Sequence, residues 1–489
     1  MSPPGCALFA QEKPTVRNKF TAVWIWLFLV PLALDFKAAE DASSHLAQIL
    51  LVVPSVGAGL LLLLIAPRFE GRSHLRKLIT WGLLATVLGS AVTQLLQGND
   101  FGNYLRVLLP FMLFLLGYFV ACHPWSDVRL AQIEKALFWA MVLSLVFSFV
   151  YGVATGGGLD KVRFHIVSVT FLGLQAILLH EFVVAHRHTR FAIALFIGTV
   201  VIELLSVTRS LLIGTALLFV LATWLSAPSL RHLLRAATRA IMICLLIGVA
   251  IVGVASLMPS VSAHWTQRIF ASKETEAGVD PTTITRLAEM KDQYDQVTGT
   301  PSSLLLGEGY GHIYRYSPTY LADLQGQMSA KDFFAIHEWV AGHNFWVYQL
   351  FAGGLLFGIA MPLAILYALY KASQAHREWR RRMPNLLYLP VLGRSILLLA
   401  ALPATSIGGN PLGPRFSGLI YGVALGLVVA SYARIAQTLR VRATRRAHRP
   451  HRAPVMTPHA GVAQWPAGNL DAHAGMGQLP HSLHGRARS

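Results

Sequence analysis

Three short groups of residues combine the types and settings that handle anions and protons. Thr208-Arg209-Ser210 is squeezed between two apolar runs with almost no connecting loop. A guanidinium is always charged and presents a fork of donors that matches a phosphate, so Arg209 reads as an anion clamp. The plainer reading is an interfacial arginine that reaches water along its own aliphatic stem. Glu203, a short way upstream, either orients Arg209 or pairs with it for structural reasons. Thr285-Arg286-Leu287 lies on a polar stretch of helical periodicity, where a single arginine is ordinarily solvated surface. His343-Asn344 stands where a long polar stretch gives way to the apolar Phe345-Trp346. Histidine's proton balance lies nearest neutrality, which suits a general base, although a lone interfacial histidine is more often structural. His337 and His312 compete for that role, and chemistry alone does not choose among the three.

Two glycine groups flank these residues. Leu305-Leu306-Gly307-Glu308-Gly309-Tyr310-Gly311 suits a tight turn with close backbone approach. Its spacing is not that of a dinucleotide-binding loop and no strand precedes it, so a nucleotide site is excluded. Gly353-Gly354 and Gly358 fall within an apolar run, where small residues let helices pack closely.

The elements that must position these residues follow from composition. The 489 residues are 54% hydrophobic and 13% charged, whereas soluble domains carry roughly a quarter of their residues charged. Apolar runs long enough to cross a hydrocarbon core recur from Thr21 to Ile435. They lack the alternation of barrel strands, and backbone groups in lipid must be satisfied internally. The expected fold is all-α, a polytopic integral membrane protein of about twelve transmembrane helices with one large, mostly helical outer loop. The expected spans are 20–37, 46–66, 79–97, 104–122, 133–153, 164–185, 190–207, 210–227, 238–258, 344–370, 387–407 and 415–435. Residues 1–258 thus hold nine helices, 259–343 the outer loop, 344–436 three more helices, and 437–489 a disordered basic tail.

The net charge of +18 does not point to nucleic acid, because the basic residues cluster in every second connection between apolar runs and in the tail. That pattern is positive-inside topology and attraction to anionic lipid, with both termini cytoplasmic. Lys161 and Arg163 are positive charges on the opposite side. The first run has no small-residue cleavage site and reads as a retained helix. In the outer loop, Thr283–Val297 reads as an amphipathic helix with Ile284, Leu287, Ala288, Tyr294 and Val297 on one face. None of the three cysteines lies in that loop, and no Cys/His spacing suggests a metal site.

Taken in order, Thr-Arg-Ser opening an apolar helix, an Arg-bearing helix in a long outer loop, the glycine loop, and His343-Asn344 leading into an apolar run with Gly354 resemble the O-antigen ligase and polymerase superfamily. These are bacterial membrane glycosyltransferases that use polyprenyl-diphosphate-linked glycans. The resemblance covers about residues 190–370 by motif and most of the chain by topology. It departs at Phe357, where a smaller or hydroxylated residue is expected. With one large outer loop and a short basic tail, the chain looks most like an O-antigen ligase of the inner membrane with a periplasmic active site.

The resemblance implies undecaprenyl-diphosphate-linked O-antigen as donor and lipid A–core oligosaccharide as acceptor, among membrane lipids and without nucleic acid. His343 would be the general base, and Arg209 and Arg286 would bind and stabilise the diphosphate. His337 and Asn344 would line the substrate site, and Lys161 and Arg163 would hold anionic groups of the acceptor. No metal, nucleotide or other cofactor is expected. The neighbouring readings are an O-antigen polymerase and a protein O-oligosaccharyltransferase. A transporter of lipid-linked oligosaccharide is the reading from another class, favoured if Arg394 lines a watery path.

Overall fold

A computed structural model describes residues 16–35, 42–69, 71–154, 168–205, 208–227, 280–324, 329–335, 341–407 and 409–447, with isolated positions between 231 and 270. The described residues form helices and no strand. In chain order these are α1 (Val16–Ala33), α2 (Ala42–Ile65), α3 (His74–Gln97), α4 (Phe101–Cys122), α5 (Asp127–Ala154), α6 (Ser168–Leu179), α7 (Arg190–Leu205) and α8 (Arg209–Ser226). After the polar segment's α9 (Pro281–Thr298), α10 (Pro301–Leu306) and α11 (Ala330–Ala335) come α12 (Phe345–Gly353), α13 (Ala360–Arg382), α14 (Leu389–Thr405) and α15 (Arg415–Ala447).

Among the described residues, α3, α4, α5, α8 and α15 are long and apolar enough to cross a membrane. Shorter apolar stretches lie in α1, α2, α6 with the turn after it, and α14. The all-helical reading stands, but five helices, or six counting one bent pair, rather than the expected twelve are long and apolar enough to cross a membrane among the described residues, and most of the expected ninth span, 238–258, lies outside them. The expected tenth span, 344–370, is not one straight helix. It breaks at Gly354–Gly358, and the two halves meet at 86°. The last helix also runs past 436 to Ala447, so residues 437–447 are helical rather than disordered. That stretch carries four arginines and two alanines, good helix formers, and meets no proline before Pro450. Two units divide the chain, Met1–Leu439 and Arg440–Ser489, and only the helical beginning of the second is described.

Close packing in the first unit follows from a small-residue stripe on α15. A Cβ on Gly418 would stand 2.0 Å from the Pro110 carbonyl oxygen, and one on Gly422 would stand 2.1 Å from that of Phe114. The α15 backbone therefore lies directly on α4, the approach that small residues four apart allow between helices in lipid.

The polar segment is not a separate body. Ile284, Ala288, Tyr316, Leu324 and Phe333 make a small core of their own. Val297, Tyr310 and Tyr314 instead join Phe345, Tyr348 and Phe351 in the main core. Helix α9 starts at the Asp280 cap, whose carboxylate accepts from the Thr283 amide at 3.2 Å, with Pro281 in the first turn where its missing N–H costs nothing. Its buried face is Ile284, Ala288, Glu289, Gln293 and Val297. This corrects the expected face, since Leu287 and Tyr294 are exposed and two polar residues replace them inside. A glutamate is buried here because donors surround it.

Candidate functional site

Glu289 is the hub of the site. Its side chain is 1% exposed, and burial of a carboxylate is tolerated only where donors replace water. The His343 amide donates to Oε1 at 2.6 Å, and His343 Nδ1 lies 2.8 Å from Oε2. Arg286 Nη1, three residues earlier on the same helix, reaches that Oε2 at 3.3 Å. The Tyr314 hydroxyl lies 3.2 Å from Oε1 and 3.0 Å from the Ala341 carbonyl oxygen. Gln293 Nε2, one turn along, is at 3.5 Å. Burial pushes the Glu289 carboxyl up, but the hydrogen bonds and charge of His343, then the charge of Arg286, outweigh it and hold it below the usual glutamate value. The Tyr314 phenol is pushed up by burial and then by the neighbouring Glu289. One buried anion therefore organises two groups that stay within reach of solvent, His343 at 27% and Arg286 at 33% side-chain exposure.

Arg209 enters from the bundle. As the first residue of α8 it pairs with Asp280 at 2.8 Å, and Asp280 is also the cap of α9. All three expected catalytic residues are thus held by one helix, Arg209 at its start and Arg286 and His343 farther along. Arg286 lies six positions after Asp280, roughly 9 Å of helical rise. Glu203 has a different setting from the one expected: Gln175 Nε2 lies 3.0 Å and the Thr215 hydroxyl 2.8 Å from its carboxylate, and the Arg209 ion pair is with Asp280.

The remaining expected site residues separate. Asn344 caps α12, its Oδ1 accepting from the amides of Trp346 at 3.0 Å and Val347 at 3.1 Å. That cap occupies the side-chain oxygen of a residue expected to line the substrate site, and it aims the helix that follows His343. His312 belongs to a clasp, with Nδ1 2.8 Å from Asn99 Oδ1. His337, Lys161 and Arg163 lie outside the described residues.

The glycine groups explain how the His343 segment is fixed. Where α12 breaks, the carbonyls of Phe351 and Ala352 turn to the glycine loop and accept from the Glu308 amide at 2.8 Å and the Gly309 amide at 3.0 Å. Gly354, at φ +60°, has its Cα so close to this loop that a Cβ would stand 2.4 Å from the Leu305 carbonyl oxygen. Helix packing, the role expected for these glycines, is joined by a second one, docking of the loop. From the other side, Gln97 and Asn99 donate to the carbonyls of Gly307 and Glu308 at 3.0 and 2.7 Å.

Sequence reasoning missed Glu289, Tyr314 and Gln293. The available signal was spacing: Glu289 stands three after Arg286 and one after the apolar Ala288, on the face that must be buried. Compared with protein-family models and with curated proteins, the chain matches none.

Proposed function

We propose that the chain is a membrane glycosyltransferase of the O-antigen ligase kind, moving a glycan from a polyprenyl diphosphate to a hydroxyl of lipid A–core at the periplasmic face. The observation that carries this reading is the joint anchoring of His343 and Arg286 on Glu289, with Arg209 held at the start of the same helix. Arg209 and Arg286 grip the diphosphate, exchanging their present carboxylate partners for the more highly charged ligand. His343 takes the proton of the acceptor hydroxyl as its oxygen attacks the anomeric carbon. The bond from that carbon to the diphosphate oxygen breaks, its electron pair leaves with the polyprenyl diphosphate, and configuration inverts. The arginines supply the charge that the leaving group needs, and the donor already carries an activated bond, so the step calls for neither metal nor nucleotide.

The transport reading has less support. Arg394 is gripped by Glu134 through two bonds of 2.9 Å and by Glu181 at 3.2 Å, which ties α5 and α14 to the turn after α6. A transporter also calls for paired broken helices, and α12–α13 is a single broken pair among the described residues.

The experiment is acceptor choice. Purified protein in liposomes receives polyprenyl-diphosphate glycan with lipid A–core, and separately the donor alone. Capped lipid A–core in the first and no elongation in the second is the expected result. Elongated donor would make it a polymerase, and glycan moved across the bilayer without new bonds would make it a transporter.

A further inference from the structure

We propose that Glu289 is a positioning residue for this transfer, whose buried carboxylate holds the Nδ1–H of His343 and so assigns the acceptor's proton to Nε2. The inference rests on the glycosyltransferase reading above and adds the residue that orients the base. An imidazole has two chemically distinct nitrogens, and which one acts is set by the hydrogen bond made by the other. Glu289 grips residue 343 at two points, the backbone amide through Oε1 at 2.6 Å and the ring through Oε2 at 2.8 Å. The ring can then neither flip nor slide along the helix. The carboxylate is itself fixed: Tyr314 links Oε1 to the Ala341 carbonyl, two residues before His343, and Gln293 supports it one turn along α9.

An ionised carboxylate only accepts hydrogen bonds, so the proton between it and His343 belongs to Nδ1. The lowered pKa of Glu289, set by the His343 hydrogen bonds and charge against burial, keeps it in that form. Among the described residues, the charged and titratable groups against the ring include Glu289 and Arg286 from α9, with Tyr314 packed behind the carboxylate. Arg286 shares Oε2 at the longer distance of 3.3 Å. It can therefore turn to a diphosphate while the His343–Glu289 bond stays made. A carboxylate that served only to tie α9 to the segment before α12 would have no reason to meet the imidazole nitrogen as well as the amide.

The test is nitrogen NMR of the full chain, ring-labelled at histidine and embedded in bilayers, with the His343 signals assigned by their loss in His343→Asn. Neutral His343 protonated on Nδ1 is the expected result, and protonation on Nε2 overturns the proposal. In Glu289→Gln, kcat falls by about 10²-fold or more, on the scale of losing a general base, while the acceptor's KM moves little. Glu289→Asp recovers part of the rate. A folded Glu289→Gln protein with the wild-type kcat also overturns the proposal, and if that variant does not fold, the wild-type spectrum decides alone. Transfer that survives His343→Ala would defeat the glycosyltransferase mechanism itself. Loss of transfer in His343→Ala together with an Nε2-protonated ring defeats only the role given to Glu289.

Discussion

At the scale of single residues, the proposed mechanism divides side chains that would act on substrate from side chains that hold them. Arg286→Ala should lower transfer by about 10²- to 10³-fold, the usual cost of removing one preorganised donor from a charge-stabilising site. Arg286→Lys should recover little, because an ammonium lacks the fork; initial rates on both variants check this. His312→Ala should loosen the clasp at Asn99 yet leave transfer within a few-fold of wild type in the folded protein, a contrast read in the same assay. Asn344→Ala should cost about 1 kcal/mol of stability as a lost helix cap, with transfer retained, measurable as a lower unfolding temperature. Glu289 adds a pH dependence whose sign is fixed by its shift. Its folded-state value is depressed, so its contribution is present above the ordinary glutamate range and is lost as pH falls through the folded value. Thermal unfolding of wild type should therefore weaken on acidification, and Glu289→Gln should flatten that slope. A slope unchanged in the variant would contradict the assignment.

At the scale of elements, the two ends of α9 were legible to within about two residues because Asp280-Pro281 and Gly299-Thr300-Pro301 are strong start and stop signals. Its buried face was legible only in part. Periodicity finds apolar positions, and nothing in it marks a glutamate that is buried because distant residues bring donors to it. His343 and Tyr314 are 54 and 25 positions from Glu289, beyond the reach of any local pattern. The break after α12 was hidden for a similar reason. Gly353, Gly354 and Gly358 read equally well as packing glycines in a straight span, and the partner that exploits the break is the loop at Leu305–Gly311. Gly354→Ala should therefore damage the clasp, since its φ of +60° and the 2.4 Å approach to Leu305 both oppose a side chain. Gly422→Leu should be worse, driving α15 off α4. Both are checked by thermal unfolding in detergent, and a Gly422→Leu protein as stable as wild type would contradict the close contact.

At the scale of the whole molecule, composition was enough to read a helical membrane bundle, because 13% charged residues and repeated apolar runs fit no other solvent. The convergence of Arg209, Arg286 and His343 was expected only from the order of motifs. In the structure each is tied to α9, Arg209 through Asp280 and His343 through Glu289, and the polar segment shares its core with the bundle, where Tyr310 and Tyr314 pack with Tyr348 and Phe351 of α12. Loop and bundle together hold His343, Arg286 and Arg209 around one helix. The most direct measurement is the rate at which purified protein in liposomes moves glycan from polyprenyl diphosphate to lipid A–core, in wild type and in His343→Ala. The account predicts capped product from wild type and a loss of at least about 10²-fold in the variant. Equal rates in the two proteins, or no capped product from wild type with both substrates present, would contradict it.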